Sequence, residues 1–261
     1  MAEGRTRRTK GGKRRVDQLL VERGLAPTRS RARALVMAGR VTVGGHRVDK
    51  AGAMVDEGVE LEVAQGRQYV SRGGLKLEAV LERFGIDVEG AVVIDVGAST
   101  GGFTDCVLRR GAVRVYAVDV GYGQLDWKLR RDKRVVLLER VNARYLGRKH
   151  VGEEADAALI DVSFISLTKV VPPVLSLLRE GGVVVALVKP QFEVGPRHVG
   201  KGGVVRDERR RLEAVASIER FFAESGLEVA GTMASPLSGA KGNREYFIVA
   251  YKCSRTTREV E

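Results

Sequence analysis

The chain has 261 residues, 44% hydrophobic and 30% charged, enough apolar content to bury a core and to exclude wholesale disorder. Lys and Arg number 45 against 33 Asp and Glu, a formal net charge of +12. Fourteen of the basic and four of the acidic residues fall in positions 1–50, so that segment carries +10 and the other 211 residues carry +2. The longest apolar runs, such as Val183 to Val188, are far shorter than the roughly 20 residues a membrane-spanning helix needs. The basic start lacks the apolar stretch of a secretory signal. Cys106, Cys253, His46, His150 and His198 are scattered without metal-ligand or disulfide spacing. These features predict a cytoplasmic protein without a structural metal.

Residues 1–14 alternate Gly, Thr, Lys and Arg without apolar periodicity and read as a disordered basic arm. From Val16 the pattern is helical, with Val16, Leu19 and Leu20 on one face and Gly24 as a stop. A second helix starts near Thr28 or Ser30 and runs to Ala38, closed by Gly39. Val41 to Val43, Gly44-Gly45 and His46 to Val48 read as strand, tight turn and strand, completing a small α+β unit that ends near Val63. Arg29 and Arg33 share a helical face, and with Arg15, Arg31 and Arg40 they offer guanidinium groups to phosphates. The ordered pattern "LLVERGLAPTRSRARALVMAGRVTVGGHRV", Leu19 to Val48, resembles the α-L RNA-binding motif of a small-subunit ribosomal protein and of pseudouridine synthases.

Residues 65–71 form a polar joint, and Leu75 to Phe84 reads as an amphipathic helix with Leu77, Val80, Leu81 and Phe84 inward. Short β-branched runs follow at Ala91 to Ile94, Val113 to Val118, Val135 to Leu138, Ala157 to Ile160 and Val183 to Val188. Helical patterns such as Phe103 to Arg110 and Leu167 to Leu178 separate most of them, which predicts an α/β fold with a parallel sheet and helices on both faces. After a long helix, Glu208 to Glu224, the runs Glu228 to Ala234 and Tyr246 to Tyr251 are joined without a helical segment, so the last strand is expected to be antiparallel.

The first of these strands ends in Val93-Ile-Asp95, followed by Gly97, Ala98, Ser99, Gly101, Gly102 and Phe103 at the first βα turn. The spacing is not the G-x-G-x-x-G of dinucleotide enzymes, and an acid before the loop suits an ammonium group better than a pyrophosphate. The pattern resembles motif I of S-adenosylmethionine-dependent methyltransferases. Asp119, at the end of the second strand, can bind the ribose hydroxyls of an adenosine, and Asn142 is placed for an adenine-edge contact. The fourth strand ends in Asp161-Val-Ser-Phe164, without the Asn/Asp-Pro-Pro-aromatic run of amino-group base methyltransferases. Cys106 lies in a helix and Cys253 in the tail, so neither suits a pyrimidine-C5 nucleophile in a sheet-edge loop.

Asp161 and Lys189 close neighbouring parallel strands, and Glu245 opens the antiparallel one, whose start lies on the same edge. With Lys76, from the helix before the first strand, this set resembles the catalytic tetrad of FtsJ-like ribose 2′-O-methyltransferases. The resemblance implies Lys189 as the base for a 2′-hydroxyl, Lys76 as the neighbouring cation, and Asp161 and Glu245 as groups that orient both ammonium groups, Asp161 also bordering the cofactor. Paired carboxylates raise a lysine's pKa, against the lowering a base needs, and sequence leaves that balance open.

The succession "SRGGLKL", "DVGASTGGFTD", "DVGYGQL", "DVSFISL", "LVKPQFEVG" and "NREYF" resembles the TlyA family, bacterial proteins once called haemolysins. What it implies is a Rossmann-like S-adenosylmethionine methyltransferase domain that methylates cytidine ribose in large-subunit ribosomal RNA, and in some members small-subunit RNA too. Some members are also linked to sensitivity to cyclic peptide antibiotics such as capreomycin. Tyr69 stands where some members have Trp. The implied organisation is a basic arm (1–14), an α-L type domain (15–64), a linker (65–71), a methyltransferase domain (72–253) and a tail (254–261). Two other readings, a non-catalytic RNA-binding assembly factor and a membrane-acting haemolysin, are opposed by the complete tetrad and by the missing spans and signal. Glycine-rich Glu193 to Arg206 reads as a mobile substrate-side loop rather than a phosphate loop, and Arg130, Arg131, Lys133 and Arg134 as a solvated surface, with RNA contact as the lesser alternative.

Overall fold

The computed structural model describes residues 12–64 and 69–253, in two compact units that divide after Gln68. Most of the basic arm, the first part of the linker (65–68) and the tail lie outside the described residues.

In the first unit, β1 (Lys13–Arg15) leads into α1 (Val16–Glu22), and α2 (Arg29–Met37) follows with Thr28 as its N-cap, its hydroxyl accepting from the Arg31 N–H. β2 (Val41–Val43) and β3 (His46–Arg47) form the expected hairpin. β4 (Met54–Asp56) pairs with β1, and β5 (Leu61–Val63) pairs with β2. Val16, Leu20, Ala32, Val36 and Val41 are fully buried between these elements. Lys13 and Arg14, expected in the disordered arm, are therefore paired strand together with Arg15. Three consecutive basic residues carry no apolar signal, and only the distant partner Met54 to Asp56 makes them a strand.

The second unit opens with α3 (Arg72–Phe84), which begins a turn earlier than Leu75 because the Ser71 hydroxyl caps it, accepting from the Gly73 N–H. The chain then alternates: β6 (Val92–Val96), α4 (Gly102–Arg109), β7 (Arg114–Asp119), α5 (Trp127–Arg130), β8 (Val135–Glu139) and β9 (Ala155–Ile160). There follow α6 (Val171–Leu175), β10 (Leu178–Val188), α7 (Pro190–Glu193), α8 (Glu208–Glu224), β11 (Leu227–Ala234) and β12 (Tyr246–Lys252). One helix expected over Leu167 to Leu178 is instead a 3-10 turn at Leu167–Lys169 and the short α6. Pro172 and Pro173 lack amide donors, so they can stand only in a first turn, and the helix restarts around them.

The seven strands run in the order β11-β12-β10-β9-β6-β7-β8. β6 to β10 are parallel, and β12 lies antiparallel between β10 and β11. Alternate residues of each strand feed two cores: Val93, Val115, Val185 and Phe247 pack with α3 and α4, while Ile94, Tyr116, Val184 and Ile248 pack with α6 and α8. The order reverses at β6, whose neighbours lead outward in opposite directions, and there a parallel sheet opens a crevice at its carboxyl edge. No helix among the described residues is long and apolar enough to cross a membrane.

Candidate active site

The loop after β6 lies in that crevice. Gly97 has φ +86° and a Cβ there would lie 2.4 Å from the Asp161 carbonyl oxygen, so only glycine lets the loop pass under the end of β9. Two cavities meet at this loop and share Gly97, Ser99 and Asp161. One, of about 580 Å³, is bordered by Arg72, Lys76, Asp95, Gly102, Phe103 and Ser238 to Lys241. The other, of about 420 Å³, is bordered by Asp119, Asn142, Ser163, Phe164 and Ile165.

Asp95 is fully buried. Its Oδ2 accepts from the Thr104 amide at 2.9 Å and the Thr104 hydroxyl at 2.6 Å, so the carboxylate closes the glycine loop onto α4. Its Oδ1 has no hydrogen-bond partner among the described residues. Burial pushes the carboxyl up to about 7, opposed by the Thr104 bonds. Asp119 sits at the other cavity with both oxygens engaged, Oδ2 by the Ser99 N–H and Oδ1 by the Gly121 N–H, each at 2.7 Å. A carboxylate has about four lone-pair directions, so room remains for hydroxyl donors. The Asn142 side chain caps the next 3-10 turn, accepting from the Arg144 N–H, and borders the same cavity.

The residues present fit an adenosyl amino acid. Charged and hydroxyl-accepting groups lie at opposite ends of two joined cavities, and the orphaned Oδ1 of Asp95 marks where a cationic donor would be satisfied. Asp95, Gly97, Ala98, Ser99, Gly102 and Phe103 all border the first cavity. Gly101 instead lies against Leu125 and Leu129, so its bareness serves the packing behind the loop. Phe103 is 3% exposed, with its ring 6.2 Å from that of Phe247. It belongs chiefly to the core.

Sheet register brings the other expected residues to one edge. Val188 pairs with Tyr246, which sets Lys189 beside Glu245, and Ile160 pairs with Ala186, which sets Asp161 close by. Lys76 Nζ lies 2.5 Å from Glu245 Oε2, and Lys189 Nζ lies 2.6 Å from Asp161 Oδ1. Lys189 also donates to the Ser163 hydroxyl at 2.9 Å, a partner that sequence reasoning missed. Lys76, Lys189 and Glu245 are buried and Asp161 is half-buried, so both ion pairs stand largely out of water. Two further features were missed. Arg72 donates to the Ser238 carbonyl, holding the 238–241 turn against the first cavity. A Cβ at Gly239 would lie 1.9 Å from Glu245 Oε1, so that turn packs directly on the carboxylate.

The arginines expected to meet RNA are partly engaged within the first unit. Arg15 makes two 3.0 Å bonds to the buried carboxylate of Asp17, and Arg29 lies 3.4 Å from it. Arg40 donates to the Ala64 carbonyl. Arg33 is exposed and Arg31 half-buried. In the second unit Arg130 pairs with Glu139 and Arg134 with Asp132, as suits a solvated surface.

A model of FtsJ-like methyltransferases matches residues 69–252, and a model of the S4 domain matches residues 14–61. The chain is 48% identical over 236 residues to the 16S/23S rRNA (cytidine-2'-O)-methyltransferase TlyA of Mycobacterium tuberculosis, covering 90% of this chain and 88% of that one. It is 41% identical over 233 residues to Hemolysin A of Brachyspira hyodysenteriae, covering 89% and 97%. Among solved structures, a candidate hemolysin from Streptococcus thermophilus is similar with a TM-score of 0.71 at 45% identity, covering 93% of this chain and 90% of that chain.

Proposed function

This chain belongs to the FtsJ-like methyltransferase family and, within it, to the TlyA proteins, and we propose that it methylates the ribose 2′-hydroxyl of a cytidine in ribosomal RNA. The observation that carries the reading is the pair of lysine–carboxylate contacts, Lys76 with Glu245 and Lys189 with Asp161, beside a two-lobed cavity at the sheet's switch point.

S-adenosylmethionine, when bound, supplies a methyl group on a positively charged sulfur. Asp95 would face its ammonium group, the backbone of Gly97 to Gly102 would border its methionine part, Asp119 would accept from its ribose hydroxyls, and Asn142 would meet the adenine edge. The Lys189 nitrogen is placed to take the proton of the 2′-hydroxyl once its own has been given up, while Asp161 and Ser163 fix its direction. The Lys76 ammonium, paired with Glu245, steadies the negative charge that grows on that oxygen. Burial of both pairs excludes the water that would compete for the hydroxyl.

The nucleic acid half of the reading rests on the S4 domain, on the +10 charge of residues 1–50, and on the name of the M. tuberculosis relative. In this reading residues 15–64 dock RNA through Arg15, Arg29, Arg31, Arg33 and Arg40, and 65–71 join them to a catalytic part, 72–253. The protein acts where ribosomal subunits are, in the cytoplasm. The test is mass-spectrometric mapping of the methylated nucleotide after reaction with each purified subunit. The expected product is 2′-O-methylcytidine in large-subunit RNA, with small-subunit RNA as the second arm. Methyl on a base atom, or none on either subunit, defeats the reading.

A further inference from the structure

The loops after β9 and β10 lie side by side at the carboxyl edge, because those strands are parallel neighbours, and they are stitched together at three levels. The first is Lys189 with Asp161 and Ser163. The second is aromatic, the rings of Phe164 and Phe192 lying 5.1 Å apart at 48°. The third is Glu193, the last residue of α7, whose Oε2 accepts from the Ser166 hydroxyl at 2.6 Å and whose Oε1 accepts from the Leu167 N–H at 3.0 Å. Glu193 touches neither cavity, and none of the roles above uses it.

Its position explains a strained feature. Phe164 holds φ +64°, a left-handed conformation that a bulky residue adopts only when its surroundings impose it, yet its side chain is 91% exposed. Apart from the Phe192 ring, little packs on Phe164 to enforce that backbone. The main constraint then lies at the two ends of the segment: Asp161, beside Lys189, and Ser166-Leu167, held by Glu193. Between those anchors run Val162 to Ile165, which wall the cavity assigned to the adenosine half of the cofactor. Partial burial pushes the carboxyl of the half-buried Glu193 above the ordinary glutamate range, so an acid is kept here in spite of its cost.

We propose that Glu193 is a positioning residue for methyl transfer: through Ser166 and Leu167 it fixes the 161–166 loop, and thereby the alignment of Asp161 and Ser163 on Lys189 and the wall of the adenosine-side cavity. The proposal rests on the methyl-transfer reading given above. Small displacements at a reacting centre are costly, on the order of 100-fold for about 1 Å.

The experiment compares the full chain with Glu193→Ala, Glu193→Gln and Ser166→Ala. Each is measured for methyl transfer to ribosomal subunits at saturating cofactor, for S-adenosylmethionine affinity by calorimetry, and for thermal stability. Glutamine keeps an oxygen for the Leu167 N–H and an amide that can donate to the Ser166 hydroxyl, so it should rescue the loop. Glu193→Ala is expected to lower kcat roughly 10- to 100-fold and to weaken cofactor binding, at temperatures well below its melting point. Glu193→Gln should stay within about threefold of the unaltered protein, and Ser166→Ala, which removes one bond and leaves the carboxylate in place, should fall between. The proposal is overturned if folded Glu193→Ala has unchanged kcat and cofactor affinity with only a lower melting point, or if Ser166→Ala matches the unaltered protein while Glu193→Gln is as impaired as Glu193→Ala. Should Glu193→Ala fail to fold, Ser166→Ala and Glu193→Gln carry the test. If the unaltered protein methylates neither subunit, the functional reading falls; if it does and only the variants disagree, this inference alone falls.

Discussion

Replacing Asp95 by asparagine tests the cofactor site through stability and binding at once. The Asp95 carboxyl titrates at about 7 in the folded protein against about 3.9 for an unfolded aspartate. Between those values the folded chain holds a proton that the unfolded chain has released. Stability therefore falls as pH rises from about 4 to about 7 and is level above, by a total of about 4 kcal/mol. The Asp95→Asn side chain does not titrate. Its oxygen can accept both Thr104 bonds, and its amide would stand where Oδ1 has no partner, at a cost of roughly 1–3 kcal/mol for an unsatisfied donor. At pH 8 the variant should thus be more stable by roughly 1–3 kcal/mol, several degrees in melting temperature for a unit of this size. At pH 5, where most of the Asp95 penalty has gone, the advantage should vanish or reverse. Cofactor affinity at pH 8 should meanwhile fall roughly 10- to 100-fold, because the ammonium group no longer meets a charged partner. Thermal melts of both proteins at pH 5 and 8, with calorimetric titration of S-adenosylmethionine, decide it. A stability difference that does not change with pH refutes the titration argument, and unchanged affinity refutes the contact.

Lys189→Ala should reduce methyl transfer to ribosomal subunits by at least about 100-fold while calorimetric cofactor affinity stays near that of the unaltered protein; retained transfer removes Lys189 from the base role. Gly97→Ala should abolish cofactor binding and lower the melting temperature, because its Cβ meets the Asp161 carbonyl at 2.4 Å; binding that survives would mean the loop can move aside. Reversing Arg31 and Arg33 to Glu should weaken RNA binding and flatten its salt dependence by about 0.7–0.9 for each phosphate no longer neutralised, read from filter binding across a salt series, with cofactor affinity untouched. Asp17, held below the ordinary carboxylate range by its bonds from Arg15, should make the first unit acid-sensitive. Its contribution is present above about pH 4 and is lost as pH falls through its folded pKa, so an Asp17→Asn variant should show a flatter acid-unfolding curve for that unit.

The second unit was largely legible because its signals are local. Five β-branched runs, a glycine loop after an acid, and polar residues at strand ends each occupy a few adjacent positions. Sheet register then does what sequence only implied, carrying Asp161, Lys189 and Glu245 to one edge from positions as far apart as 84 residues. What sequence could not show depends on partners distant in the chain. Lys13 to Arg15 become a strand only against Met54 to Asp56. Ser163 matters because Lys189 reaches it, and Arg72 because it meets Ser238. The early start of α3 was readable, since Ser71 is a good N-cap, but Gly73 and Gly74 argue against a helix. Those glycines have a reason in packing. A Cβ at Gly74 would lie 2.2 Å from the Tyr69 ring, so helix propensity gave way to seating the joint's aromatic residue.

The basic charge of the N-terminus also needs a finer account than its sum. A carboxylate fully buried at Asp17 engages Arg15 and Arg29, so these two arginines are held at fixed positions and the group of three carries +1 rather than +2. Arg33 and the half-buried Arg31, on α2, have greater freedom to meet phosphate. Long flexible side chains lose rotamer entropy on binding, whereas a guanidinium already fixed by Asp17 loses less. Arg15 and Arg29 should therefore contribute orientation on RNA, and Arg31 and Arg33 most of the salt-dependent affinity. Substituting Asp17 should then change which site on the subunit is methylated, or how uniformly, more than it changes overall binding. Substituting Arg33 should do the reverse. Equal effects of the two on affinity and on site selection would show that the buried carboxylate serves folding alone.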